Sequence, residues 1–249
     1  MAAKRLGFNM IRKHQKVEPD RWYYHADRLG MLVWQDMPAM RSGPGGGTGG
    51  GAPPPAARAE FERQLRALVV QHRSWTSIIG WAPFNEGWGE WSRDATGRIA
   101  GFVHRLDPSR LVDADSGVRC CGGASGRGDS GRGDVVDWHA YPGPATPSPD
   151  RSRAAVDGEH GGFGLEVPGH LWFADGGAYR MAHSKEELTR LYVADQEKVL
   201  REIRHRGLSG SVYTQLTDVE HEVDGLFTYD RRVAKMDLDR VRAVNERAR

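Results

Sequence analysis

Only two of the 249 residues are cysteines, and they stand side by side as Cys120 and Cys121. Adjacent thiols cannot staple distant segments and do not make the C-x-x-C spacing of a metal or redox site, so no disulfide framework is expected. Long apolar runs are missing as well. Nothing approaches the roughly 18 residues needed to cross a bilayer, and the opening MAAKRLGFNMIRKHQ lacks the apolar centre of a secretion signal. Unless residue 1 is a point of truncation, this favours the cytoplasm; the compartment is otherwise open. Neither charge is in excess: 35 basic residues face 33 acidic ones for a net charge of +2, without the basic stripe of a nucleic-acid binder. No G-x-G-x-x-G turn follows a strand and there is no P-loop, so nucleotide chemistry lacks support. His, Cys, Asp and Glu never gather at metal-ligand spacing, so neither a metal nor another cofactor is expected.

What is present is an ordinary globular composition, 39% apolar and 27% charged, in a chain whose length suits either one large α/β barrel or two small domains. Short β-rich runs alternate with helical patterns, the order of a parallel sheet built from βα units. Strands are expected over residues 8–12, 31–35, 78–84, 111–114, 135–139, 154–158 and 210–215. Helices are expected over 19–29, 60–72, 92–106, 185–205 and 236–249, the fourth opened by a Ser184-x-x-Glu187 capping box and closed by Gly207. Seven strands suggest a (β/α)₈ barrel that lacks its first strand, with residues 1–249 forming one partial barrel and no second domain. Two Gly-rich insertions, residues 43–57 and 120–134, read as flexible loops. The second contains two Arg-Gly-Asp triplets, which biased composition generates by chance.

Barrels of this type place their sites on loops at the C-terminal ends of strands. The stretch IIGWAPFNEGWGEW delivers Asn85-Glu86 to such a tip, near Trp81, Trp88 and Trp91; AAVDGEHGG delivers Glu159 to another. If the missing unit comes first, these are the fourth and seventh strands, on opposite sides of the mouth. Two carboxyl groups about 5–5.5 Å apart serve retaining glycoside hydrolysis, one as acid/base and one as nucleophile. Each glutamate is followed within two positions by glycine, which lets backbone pass close to a ligand. Trp81 reads as core, whereas Trp88 and Trp91 on the following loop are candidates for sugar stacking. His14, His139 and His160 lie at strand ends and are candidates for binding hydroxyls.

Five stretches, LGFNMIRKHQKVEPDRWYYHADRLGMLVWQDMP, WTSIIGWAPFNEGWGEW, VVDWHAYPGP, GEHGGFG and GSVYTQLTDVEHEVDGLFTYDRRVAK, resemble the catalytic barrel of glycoside hydrolase family 2. That family holds β-galactosidases, β-glucuronidases and β-mannosidases. The resemblance implies a retaining β-glycosidase acting on a carbohydrate, with Glu86 as acid/base and Glu159 as nucleophile. It implies that Asn85 bonds the sugar 2-hydroxyl, that Arg12 holds the nucleophile by charge-assisted bonds, and that Tyr141 hydrogen-bonds it. It also implies that the family's N-terminal β-domains are missing from this chain, in which case an incomplete barrel that at most binds carbohydrate is the alternative. The family's Arg-x-x-His is here Arg12-Lys13-His14, which weakens a role for His14, and Thr214-Gln215 stands where a Trp is common. Glucuronidases carry Asn-x-Lys where this chain has Glu222-Val223-Asp224; acidic groups there repel a uronate, so a neutral sugar is expected, most like a β-galactoside.

Overall fold

The computed structural model describes residues 2–40, 52–120, 123, 124 and 126–248, which divide into two units. In chain order the elements are α1 (Ala2–Arg5), β1 (Met10–Lys13), α2 (Asp20–Leu29), β2 (Leu32–Asp36), α3 (Pro55–His72), β3 (Ile78–Ala82), α4 (Arg93–Leu106), β4 (Leu111–Val112), β5 (Arg119–Cys120), β6 (Gly123–Ala124), β7 (Val135–Ala140), β8 (Ala154–Gly161), β9 (Phe163–Gly164), β10 (Arg180–Met181), α5 (Lys185–Arg206), β11 (Leu208–Thr214) and α6 (Leu238–Asn245). All seven expected strands are present, joined by four two-residue strands that no sequence pattern signals.

The first unit comprises residues 9–138 and 147–156. Its main sheet is parallel in the order β1-β2-β3-β4, with Arg12 beside Trp34 and Trp81 beside Val112. Parallel neighbours need crossovers, which α2, α3 and α4 supply. Because strand side chains alternate, adjacent residues serve different layers. Trp34 and Ala82 join Val135 and Val156 in one buried cluster, flanked by Met10 and Ala154, so that five strands feed the same core. Trp81, next to Ala82, is fully buried with its indole N–H donating to Asp107 at 3.0 Å. It is core, as expected.

The second unit comprises residues 1–8, 139–146 and 157–249. Here β11 lies beside β8, and β9 pairs in parallel with β10. The core gathers Leu6, Phe163, Leu188, Tyr192, Leu200, Tyr213, Leu226 and Met236. Helix α5 starts as its capping box dictates: Ser184 Oγ accepts from the Glu187 N–H, and the Glu187 carboxylate accepts from the His183 N–H at 2.9 Å. It stops at Gly207, whose φ of 73° is the left-handed cap.

Two expectations about loops change. Residues 43–51 lie outside the described residues, but Pro55–Ala57, expected as flexible, opens α3. Pro54 is extended and Pro55 takes the first helical position, where its missing N–H has no partner to lose. In the 120–134 insertion, β5 pairs with β6 in antiparallel register and both Arg-Gly-Asp aspartates bond internally. Asp129 receives Arg153 through two bonds of 2.7 and 2.9 Å, and Asp134 receives the Val112 N–H at 2.7 Å. Among the described residues no closed barrel is shown, and the class is α/β with parallel sheets.

Candidate active site

In the first unit the tips of β1, β2 and β3 are laced by one guanidinium. Arg12 Nε and Nη2 donate to the two carboxylate oxygens of Asp36 at 3.1 and 2.8 Å, and Nη2 also donates to Asn85 Oδ1 at 2.7 Å. A planar fork holding a carboxylate bidentately is the geometry arginine is built for. Its consequence lies in Asn85: with Oδ1 oriented toward Arg12, the amide turns its NH₂ donor the other way.

Glu86 follows directly. The chain leaves β3, bridges in parallel from Asn85 to Ser116, and turns: the Glu86 N–H donates to the Ser116 carbonyl at 2.7 Å, and Glu86 has a φ of 50°. A non-glycine residue in that region is uncommon and marks a constrained site. Gly87 continues the turn at φ 72°, giving its N–H to Asp115 Oδ1 at 3.0 Å, and a Cβ there would fall 1.9 Å from the Gly126 Cα. Only glycine fits. Beyond it Trp88 is 37% exposed, whereas Trp91 is half-buried with its edge against Phe61 and Phe84. Trp91 is therefore corrected from a stacking candidate to packing, because α3 brings Phe61 to it.

Behind these tips lie acids that the sequence reading passed over. Asp113 is almost wholly buried, and burial, followed by the charge of Asp137, pushes its carboxyl well above the usual range. Ser116 Oγ donates to Asp137 and ties the pair to the Glu86 turn. Glu90 is buried too, accepting from Thr96 Oγ1 and from the Arg127 N–H at 2.8 Å, and burial raises its pKa. A signal existed: Asp113 and Asp137 interrupt the apolar runs LVDAD and VVDW.

In the second unit Glu159 sits near the end of β8. Tyr141 donates its phenol to Glu159 Oε2 at 2.6 Å and meets Thr214 Oγ1 at 2.8 Å; His139 Nδ1 lies 3.4 Å from the same carboxylate oxygen. Burial first, and then the charge of Glu159, raises the Tyr141 pKa far beyond neutral pH. Tyr141 thus stays a donor. Its other face is covered by Tyr179, stacked at 3.8 Å with an interplanar angle of 3°. Tyr179 was not singled out by the sequence, because its place beside Tyr141 comes from a tertiary contact between residues 38 positions apart.

His160 is placed differently from its neighbour. Alternation along β8 turns it away from Glu159, and it is wholly buried, with Nδ1 2.7 Å from Asp195 and its ring edge-on to Tyr213. A ring buried against Asp195, on the far side of the strand from Glu159, is not offered to a sugar hydroxyl, so the role expected of His160 is corrected to a structural ion pair; His139 is equally buried but faces Glu159. His14 is exposed on the turn after β1, with Nε2 3.4 Å from the Gln15 amide.

No protein-family model matches the chain, and no curated protein does. Solved structures match over nearly all of it. A GH2 β-galacturonidase from Eisenbergiella tayi bound to galacturonate superposes with a TM-score of 0.70 at 17% identity, covering 99% of this chain and 46% of that one. An uncultured Clostridium sp. β-glucuronidase gives 0.67 at 15% identity, covering 99% and 45%, and Bacteroides uniformis β-glucuronidase 3 gives 0.66 at 18%, covering 98% and 33%. At these identities the likeness is one of fold, and the chain spans less than half the length of each of these proteins.

Proposed function

We propose that the chain is one partial (β/α)₈ catalytic barrel of a retaining β-glycosidase, with Glu159 as nucleophile and Glu86 as acid/base. The observation that carries the proposal is the 2.6 Å hydrogen bond from the Tyr141 phenol to Glu159, at the end of a buried strand. A donor that cannot ionise near neutral pH orients the Glu159 carboxylate for attack on an anomeric carbon. Glu86 then gives its proton to the leaving oxygen and takes one from water in the second step. Asn85, locked by Arg12, presents its NH₂ group to the sugar 2-hydroxyl, a contact that strengthens as the oxocarbenium-like transition state forms. Trp88 supplies a stacking face, and His139 is a further donor beside Glu159.

The sugar is read as neutral. Gln215, next to Thr214, has its amide held between Glu222 at 2.8 Å and Asp224 at 2.6 Å, and the nearby Lys235 ammonium is buried against Asp218 and the Val223 carbonyl rather than offered to a uronate. Hydrolysis of a panel of aryl β-glycosides tests both parts. Turnover abolished by Glu159→Gln supports the assignment, and a β-galactoside cleaved in preference to a β-glucuronide or β-galacturonide supports the neutral sugar. The names of the structurally similar proteins point to uronides, so preference for a uronide refutes the neutral reading alone. No turnover of any glycoside by the folded chain refutes the enzyme.

A further inference from the structure

Aromatic rings normally leave the surface, yet the 170–180 segment displays three in the open: Trp172 is 53% exposed, Phe173 39% and Tyr179 58%. A concentration of exposed rings on one loop marks an interaction surface. They are held, not dangling. Trp172 rests on Tyr229 at 4.5 Å, and Phe173 stacks on the His221 ring at 3.8 Å and 5°. The backbone beneath is tied down by the Gly177 N–H on the His221 carbonyl and by the Val223 N–H on the Gly177 carbonyl. His170, two residues before Trp172, bonds Asp230 at 2.8 Å. The same segment carries Tyr179, two residues past the tied Gly177, and Tyr179 stacks on Tyr141, which bonds Glu159.

We propose that this aromatic ridge, from Tyr179 to Trp172, is a binding platform for the further sugar units of an oligosaccharide whose terminal residue is held at Glu159. The inference rests on the glycosidase reading and deepens it by naming the substrate class. Sugar rings offer flat C–H faces to aromatic rings and hydroxyls to polar neighbours, and the ridge supplies both. The segment also carries or meets the carboxylates of Glu166 and Asp230, which accept from the Gly176 N–H and the His170 ring, and that of Asp175, 3.5 Å from the His221 ring. An apolar aglycone would call for an enclosed slot instead. Continuity with Tyr141 and Glu159 favours the glycan over a protein partner.

The test compares kcat/KM on a β-linked tetrasaccharide with kcat/KM on the aryl monoglycoside of the same sugar, for wild type, Trp172→Ala and Trp172→Phe. The oligosaccharide-to-aryl ratio is expected to fall roughly tenfold in Trp172→Ala and to recover in Trp172→Phe. An unchanged ratio, with aryl turnover intact, overturns the platform and leaves the glycosidase reading standing. If no glycoside is turned over, affinity electrophoresis through gels of soluble β-glucan, β-galactan or β-mannan decides: retardation of wild type relative to Trp172→Ala supports the platform, and equal mobility in all three overturns it. A wild-type chain that self-associates in light scattering while Trp172→Ala does not also overturns it, since the ridge is then the seat of a second copy.

Discussion

Tyr141, just past the end of β7, and His160, on the neighbouring β8, do opposite jobs. Tyr141→Phe removes one charge-assisted hydrogen bond to Glu159 and keeps the stacked ring, so kcat should fall on the order of 10- to 100-fold with thermal stability little changed; steady-state kinetics and a melting curve check both. For His160, burial alone would lower the pKa, but hydrogen bonding and the charge of Asp195 overcome it, and the folded value lies above the ordinary 6.5. A raised folded pKa means that the pair's stabilisation is complete below about pH 6.5 and is lost as pH rises through the folded value. Melting temperature should therefore decline on the alkaline side, and Asp195→Asn should flatten that limb. A slope identical in the variant contradicts the ion pair. The sequence announced Glu86, Asn85 and Glu159, because a polar tip on an apolar strand is legible. It could not separate His160 from His139, since which face a histidine takes depends on strand register.

At the scale of elements, what was legible followed from local physics. Periodicity located every main strand, and the Ser184 and Gly207 signals located both ends of α5. Ser184→Ala should cost about 1 kcal/mol in denaturant unfolding, the usual value of an N-cap. Where tertiary contact decides, local signals failed: β5 and β6, and β9 and β10, are pairs of two residues each that exist only through their partners. The turn after β11 holds a second pH dependence. Burial, against the Gln215 amide and reinforced by the charge of Glu222, raises Asp224 to about 7 from 3.8. The folded state thus binds this proton more tightly than the unfolded chain. Its contribution is complete below about pH 4 and is lost as pH rises to about 7, on the order of 4 kcal/mol. Asp224→Asn should raise the melting temperature at pH 8 and leave it unchanged near pH 4. Equal shifts at both values contradict the buried acid.

At the scale of the whole molecule, the chain carries the fold of part of much longer enzymes, and its two carboxylate sites arise in separate stretches of sequence: Glu86 after β3 and Glu159 on β8. Sequence order implied the α/β class, because strand and helix patterns alternate; it could not reveal the Arg12–Asp36–Asn85 lacing or the Tyr141–Tyr179 stack, which join residues 24 to 73 positions apart in one case and 38 in the other. The most direct test is covalent trapping. The folded chain is incubated with activated 2-deoxy-2-fluoro β-glycosides of galactose, glucose and mannose, then digested and weighed by mass spectrometry. A fluoroglycosyl ester on the peptide containing Glu159, absent in Glu159→Gln, is the predicted result. An adduct on another carboxylate, or none from a folded chain that hydrolyses the matching aryl glycoside, contradicts the assignment of Glu159 as the nucleophile of a retaining glycosidase.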